Sequence, residues 1–574
     1  MNPVVKAQLK AFERANPHTG LPDPDLFEVF AIFSVANGIL TDNIDPFSAH
    51  LKGTEFGIDG IAIMVQGELC RTADDVAGAL ASGKNHSVEF NIFQAKSSDK
   101  IDYGDLSKFF DGVSTFFDGN FVDVTEQINE LIDAKNTIYA SALKKNPVLR
   151  LFYITTGSAE LSKHVIQLID TNKTRFGEKN IFEAIEIEII GARELQAGYR
   201  SATNSISAKL DISKPITLPD HPSVEQAFLG YVSAEDLVGL ATIASSEHGE
   251  RRINRAVFFD NIRDFNPKSS INISIIEELM NDHRAAESFI FKNNGVTVVA
   301  RDINRKGDSF EIDDYQIVNG CQTSNILFLA GNKAKGVQVP IRLIGSIDPD
   351  FVSSIIVGTN KQNEVKEDQF WALTPFMKNL EEYSREQDEE IRLFIERREN
   401  QYRNELIERT RICKPSDLVK AVAAMFLSQP HRAARDYRGI RKEFSSQIFQ
   451  ETHFVPLYHA AAFASYRADF ALRNRRINGS WGIYKYYALA AAGQRLGGEH
   501  DVFSLKKSKQ EAIATAIIEL FRDEASLVKH YKEVVSILEK IAGLTHAASR
   551  ERLRDFLRTE SVASQFSQAL KKGA

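Results

Sequence analysis

Cysteine is scarce in this chain. Cys70, Cys321 and Cys413 are the three among 574 residues. An odd, widely spaced set builds neither a disulfide framework nor a zinc motif, so a reducing compartment is expected. Long apolar runs are missing too. No window of 18 or more apolar residues exists, which predicts no membrane-spanning helix. The opening stretch MNPVVKAQLKAFERANP has no apolar core and no small-residue cleavage site, so a secretory signal is not expected and the cytoplasm is. The 13 histidines are scattered, with no HExxH pair. An excess of positive charge is also lacking. The formal net charge is −7, so any nucleic-acid contact must come from a local basic groove.

What remains is ordinary for a globular protein, 43% hydrophobic and 26% charged. The length suggests about three domains. Residues 1–205 read as α/β. Pro24 to Leu40 carries apolar residues at helical spacing, as do Tyr103 to Phe117 and Asp123 to Leu143. Gly60 to Val65, Ser87 to Phe93, Val148 to Thr155 and Ile185 to Ile190 read as strands. Ser205 to Pro222, with three prolines, reads as a linker. Residues 225–390 form a second α/β segment, with strand-like VTVVA (Val296 to Ala300), YQIV (Tyr315 to Val318) and VPIRLIG (Val339 to Gly345). Residues 391–574 read as helical.

Phosphodiester hydrolysis commonly needs a divalent cation, an acidic ligand to hold it and a cation near the developing charge. Mg²⁺ takes one or two carboxylates plus waters. An acid on one strand and an oxygen ligand two residues before a lysine on the next would supply this, because residues i and i+2 of a strand share a face. Asp59 in FGIDGIAI, with Gln94 and Lys96 in FQAKSS, has this spacing. Glu28, on the first long helix, adds a second acid. Glu89 lies an odd number of positions from Gln94 and is expected to face away. Thr72 to Ser87 (TADDVAGALASGKNHS) reads as an exposed insertion.

The pair FGIDGIAI and FQAKSS resembles the Mrr-like branch of the PD-(D/E)XK nucleases. That resemblance implies a restriction-endonuclease-like fold with Mg²⁺ or Mn²⁺ as cofactor. It makes Asp59 a metal ligand, Gln94 a weaker oxygen ligand, Lys96 the stabilising cation and Glu28 the helix-borne acid.

Four polar clusters stand in the second segment: FFDNIRDF, FKNNGVTVVA, IVNGCQTSNIL and GTNKQNEV. Neutral amides both donate and accept, which suits ligand recognition as well as turns and caps. In this order the clusters resemble the AIPR (abortive infection phage resistance) family. The resemblance implies a role in anti-phage defence, beside partners such as an ATPase or a methyltransferase. It leaves two readings: a metal-dependent nuclease, DNA before RNA, or a non-catalytic sensor whose partner acts. A looser resemblance of the same region to ParB-like folds implies a phosphate site at a helix start. Asn294, Asn319, Gln322 and Asn360 are expected to line one concave surface. Cys321 reads as a packing residue.

Two basic stretches follow. Between Arg392 and Arg411 interspersed glutamates favour a paired, solvated face. Arg432, Arg435, Arg438, Arg441 and Lys442, offset by Asp436, are candidate nucleic-acid contacts. Arg467, Arg473, Arg475 and Arg476 precede WGIYKYY, and arginines with interleaved aromatics suit phosphates and stacked bases. A homo-oligomer is also compatible with the chain.

Overall fold

A computed structural model describes the chain apart from residues 18–20, 41–43, 53–55, 82–86, 120–124, 205, 245–250, 259–269, 282, 361–373, 398–400, 403–404, 406, 499–500, 548–549 and 573–574. The fold is mixed α/β with a mainly helical C-terminal third.

Five strands form the first sheet: β1 (Gly60–Val65), β2 (Glu68–Cys70), β3 (Val88–Lys96), β4 (Val148–Thr155) and β5 (Ala184–Ile190). Their order is β2-β1-β3-β4-β5. β1 runs antiparallel to β3, whereas β3, β4 and β5 are parallel. The parallel strands need helical crossovers, and Tyr103–Asp118, Glu126–Ala140 and Lys163–Glu178 supply them. Both faces of β3 are buried, and that burial takes in its polar residues Glu89, Asn91 and Gln94 as well as its apolar ones. Phe93 and Ala95 face the Asp23–Phe33 helix, and Phe90 and Ile92 face the crossover helices.

The stretch read as an exposed insertion contains the helix Ala73–Leu80, with Ala73, Val76 and Ala79 buried. Its start was legible. Thr72 and Asp75 form a capping box, which satisfies two of the free backbone donors at the helix start.

The second sheet begins earlier than expected. β6 (Ser207–Asp211) and β7 (Ser213–Thr217) are its two edges, so strands occupy the stretch read as linker. Pro215 is tolerated because an edge strand has one hydrogen-bonding side free. β8 (Gln226–Ser233), the two-stranded ribbon of β9 (Thr242–Ala244) and β10 (Arg251–Ile253), then β11 (Val296–Lys306), β12 (Ser309–Asn319) and β13 (Gln338–Gly345) follow. The six-stranded order is β6-β12-β11-β13-β8-β7. The helix Cys321–Ala330 packs Ile326 and Leu327 on one face of this sheet. The helix Pro349–Asn360 packs Val352 and Ile356 on the other, against Val299, Val318 and Ile344.

From Pro375 onward the described residues are helical, apart from the short parallel pair Phe394–Ile395 and Ile412–Cys413. The helices Pro415–Phe426, Val455–Arg473 and Lys485–Gly497 form the centre of that core. Gly493 lets two of them touch, since an added Cβ would meet the Met425 carbonyl oxygen at 1.9 Å.

The helical unit is docked on the first sheet's unit. Arg554 pairs with Asp133 at 2.8 Å, and Arg558 pairs with Asp74. Arg255, from the middle unit, reaches Glu89 at 3.0 Å. Glu89 also meets Arg150, so it serves packing and faces away from Gln94, as expected. Among the described residues no helix is long and apolar enough to cross a membrane.

Candidate active site

The antiparallel register of β1 and β3 sets the first site. Asp59 immediately precedes β1, and its amide donates to the Phe93 carbonyl oxygen at 2.8 Å. Its side chain turns back over β3, where Oδ2 accepts the Ala95 amide at 2.7 Å. Gln94 and Lys96 flank Ala95 and share a strand face. Glu28 comes from the Asp23–Phe33 helix and accepts from His50 Nε2 at 2.7 Å. The Gln127 side chain donates to the His50 carbonyl oxygen at 2.7 Å and anchors the backbone of that histidine.

These groups feel one another. Burial, then the neighbouring Glu28 carboxylate, push the Asp59 carboxyl up to about 7. The Ala95 amide, Lys96 and His50 pull the other way. Lys96 Nζ lies 3.8 Å from Asp105 Oδ1, and both side chains are partly exposed.

Gln94 is 1% exposed, and neither atom of its amide has a hydrogen-bond partner among the described residues. An unpartnered buried amide costs about 1–3 kcal/mol. Gly57 lies against it. At φ +69° this position favours glycine, and an added Cβ would stand 3.3 Å from Gln94 Nε2.

Asp59 therefore lies within electrostatic reach of Glu28, Lys96 and His50, and Gln94 stands two residues before Lys96 on β3. Sequence reasoning missed His50 and Asp105. Neither belongs to a motif; each arrives through tertiary contact.

Do these residues fit a divalent cation? No group of three His, Cys, Asp or Glu side chains with metal-holding geometry occurs among the described residues. The donors here are instead two carboxylates and an unsatisfied amide oxygen, hard ligands that suit Mg²⁺ with waters completing its shell. A cation would relieve the repulsion between Asp59 and Glu28. The donor chemistry fits.

The second expected site is partly assembled. Thr297 pairs with Asn319 across β11 and β12, so the NNG and VNGCQT segments share one sheet end. Gly320 has φ +116°, and an added Cβ would meet Val296 Cγ2 at 2.5 Å, which explains glycine there. Asn293, rather than Asn294, makes the local bonds. It donates to Thr323 Oγ1 at 3.0 Å and accepts from the Gly295 amide at 2.8 Å. Asn294 and Gln322 are exposed and Asn319 is half-buried. The side chain of Asn360 and the NIRDF segment from residue 259 lie outside the described residues, as does the TNKQN segment from residue 361. Cys321 packs against the sheet core, as expected.

The candidate basic contacts divide. Arg432 is held by Asp436 at 2.8 Å and Glu443 at 2.7 Å, so its charge is spent within its own helices. Arg435 donates to the Arg558 carbonyl oxygen. Arg441 lies over the Tyr437 ring and Lys442 is exposed. The Arg438 side chain lies outside the described residues. Between Arg392 and Arg411 charges are paired, but not on a solvated helix face: Arg397 is buried against Asp350 and Glu381, and Arg411 against Glu408.

These features define a class first: a mixed α/β protein whose first sheet carries a carboxylate, amide and lysine site, with a helical unit docked beside it. The family follows. A family model described as AIPR protein matches residues 258–534. That stretch covers most of the second α/β unit and much of the helical unit, and the match supports the resemblance seen in NNG and VNGCQT. No curated protein and no solved structure matches the chain.

Proposed function

We propose that this chain is a metal-dependent phosphodiesterase that acts on nucleic acid in anti-phage defence. The similarity of residues 258–534 to the AIPR family supports the defence role. The gathering of Asp59, Glu28 and Lys96 at the junction of β1 and β3 carries the catalytic reading. An N-terminal unit of restriction-endonuclease-like, Mrr-like character accounts for that junction, and a ParB-like character of the middle unit stands as an expectation beside it.

Asp59 and the Gln94 carbonyl oxygen would hold Mg²⁺ or Mn²⁺, with Glu28 reaching it directly or through water. Bound there, the ion would supply an activated water and neutralise a phosphate oxygen. Lys96 places positive charge beside the reacting phosphate, where it stabilises the transition state more than the ground state. Asp105 restrains the Lys96 ammonium. His50 orients Glu28 and offers a proton-carrying group at the edge of the site. The amides of Asn294, Asn319 and Gln322 form a polar sheet end suited to recognition or regulation, away from the cutting site.

The test is direct. Purified protein is incubated with plasmid DNA and with total RNA, with Mg²⁺, with Mn²⁺ and with EDTA. Cleavage that needs the ion and disappears in Asp59→Ala and Lys96→Ala is the expected result. Full activity in chelator would remove this mechanism. Unchanged defence in cells carrying either variant would leave the chain a sensor whose partner supplies the activity.

A further inference from the structure

Between the first sheet's unit and the helical unit lies a cavity of about 1030 Å³. His50 forms part of its wall, and the same histidine meets Glu28 at 2.7 Å, so the cavity ends one side chain away from the Glu28 and Asp59 site. Lys52, Arg473, Arg475 and Arg476 line the same space, with Trp481 close by in the chain.

The acids of this cleft are largely engaged already. Asp469 meets Lys485 at 2.8 Å, Asp74 meets Arg558, and Asp75 lies near Lys420. The four cations are less well balanced. Arg476 has Glu524 at 3.6 Å, outside the cavity lining. Arg473 lies over the Phe47 ring at 5.9 Å. Arg475 donates to the Lys52 carbonyl oxygen at 3.2 Å, which ties the two units together, and no carboxylate pairs with it among the described residues.

Arg475 also has φ +55°, a left-handed conformation that costs a side-chain-bearing residue about 1 kcal/mol or more. Such strain persists where the surroundings fix it, and here it holds a guanidinium in the cleft. Burial, and then repulsion from Arg473, Arg475 and Arg476 against the attraction of Asp25, lower the proton affinity of the Lys52 ammonium. An anion would relieve that crowding.

We propose that this cleft seats a single strand of nucleic acid, its phosphates on Lys52, Arg473, Arg475 and Arg476 and a base stacked on Trp481, and brings it up to His50, the neighbour of the Glu28 and Asp59 site. The ligand class rests on the nuclease reading above. The combination of a basic groove with an aromatic platform is the way proteins hold single strands. The cavity volume suits a few nucleotides. It does not suit a duplex, whose major groove alone is about 12 Å wide. The chain's net charge of −7 makes the local cluster necessary, because the bulk field repels a polyanion.

Binding is measured by fluorescence anisotropy with labelled 12-nucleotide single-stranded DNA and RNA and the matching duplex, in EDTA so that nothing is cut. Arg475→Glu with Arg476→Glu is expected to weaken single-strand binding at least about 10-fold and to flatten the slope of log K against log salt by about 1.4, two phosphate contacts of about 0.7 each. Trp481→Ala should weaken it about 5- to 100-fold. Lys507→Glu with Lys509→Glu makes the same charge change on exposed positions outside the cleft and should leave binding unaltered. Should the glutamate pair not fold, Arg475→Gln with Arg476→Gln takes its place, with a smaller loss in the same direction.

Wild-type affinity in the arginine variants, a preference for duplex, or no binding by the wild type would each overturn the proposal. Asp59→Ala is expected to bind normally. If binding depends on the arginines while no ion supports cleavage, the cleft stands and the nuclease reading falls. If cleavage needs Asp59 but not the arginines, the reverse holds.

Discussion

In the helical unit, buried polar side chains are met at one atom at least in several places, although His459 Nε2, Gln510 Oε1 and the Tyr531 hydroxyl have no partner among the described residues. His530 Nε2 lies 2.8 Å from the Ala488 carbonyl oxygen, and His459 Nδ1 lies 2.9 Å from Ser384 Oγ. Arg411 and Glu408, both buried, pair at 2.9 Å. Around the first sheet whole amide groups, both atoms together, go unmet. The Gln94 amide is buried without a partner, so is that of Asn91, and Asp59 is held beside a second carboxylate. Burial of an unsatisfied group costs stability, so a fold selected for stability alone would fill these places with apolar side chains. The contrast is one of degree: the helical core leaves single atoms over, whereas the first sheet leaves both amide atoms of Gln94 and Asn91 unmet, and each half can be perturbed by itself.

The largest effects should separate rate from stability. Lys96→Ala and Asp59→Ala are each expected to cut nuclease activity at least about 10²–10³-fold, with the melting temperature nearly unchanged, because neither opens an apolar cavity. Phe463→Ala, in the centre of the helical core, should do the opposite. It should cost about 3–5 kcal/mol in denaturant titration while the folded fraction keeps its specific activity. Loss of activity per folded molecule in Phe463→Ala would blur the division.

Next comes Asp59→Asn in chelator. The carboxyl is raised from its ordinary range to about 7, so the unfolded chain releases this proton first. Its contribution to stability is present below about pH 4 and lost as pH rises through 7. Asparagine keeps the acceptor for the Ala95 amide without the charge. The variant should therefore be about 1–3 kcal/mol more stable than wild type at pH 8 and equal to it at pH 4. Gln94→Met, which replaces the orphaned amide by an apolar chain of similar size, should leave stability level or raise it by about 1 kcal/mol while reducing cleavage.

The smallest effect has the opposite pH slope. Burial lowers His459 to about 4, so its contribution is present above pH 6.5 and lost as pH falls through 4. His459→Gln should flatten the acid limb of the melting curve, measured by circular dichroism between pH 7 and 4. A slope of the same sign in both units would contradict the comparison.

The same contrast explains what could be read from the residues. The period-2 and 3.6 patterns placed β1, β3, β4 and β5 within a few positions, because apolar residues recur in each at strand spacing. Asp59, Gln94 and Lys96 were legible since one strand's period puts the last two on a face. His50 and Asp105 were not, because their partners lie 22 and 9 positions away on other elements. β6 and β7 were missed for a physical reason. Edge strands are half solvated, so SAKLD and SKPIT carry little apolar signal, and proline is permitted there. The helix Ala73–Leu80 was missed despite its capping box because its buried stripe is alanine and valine, too small to stand out. Arg473, Arg475 and Arg476 drew notice as a basic run, but only the docking of two units shows that they face Lys52.

The claim that the first sheet's unsatisfied groups await a cation has one decisive measurement. Isothermal titration with Mn²⁺ at pH 8 is compared between wild type and Asp59→Asn, with no nucleic acid present. One site per chain in the wild type, lost in Asp59→Asn and weakened in Gln94→Met, is the predicted result. Equal Mn²⁺ binding in all three proteins, or none in the wild type, would contradict it.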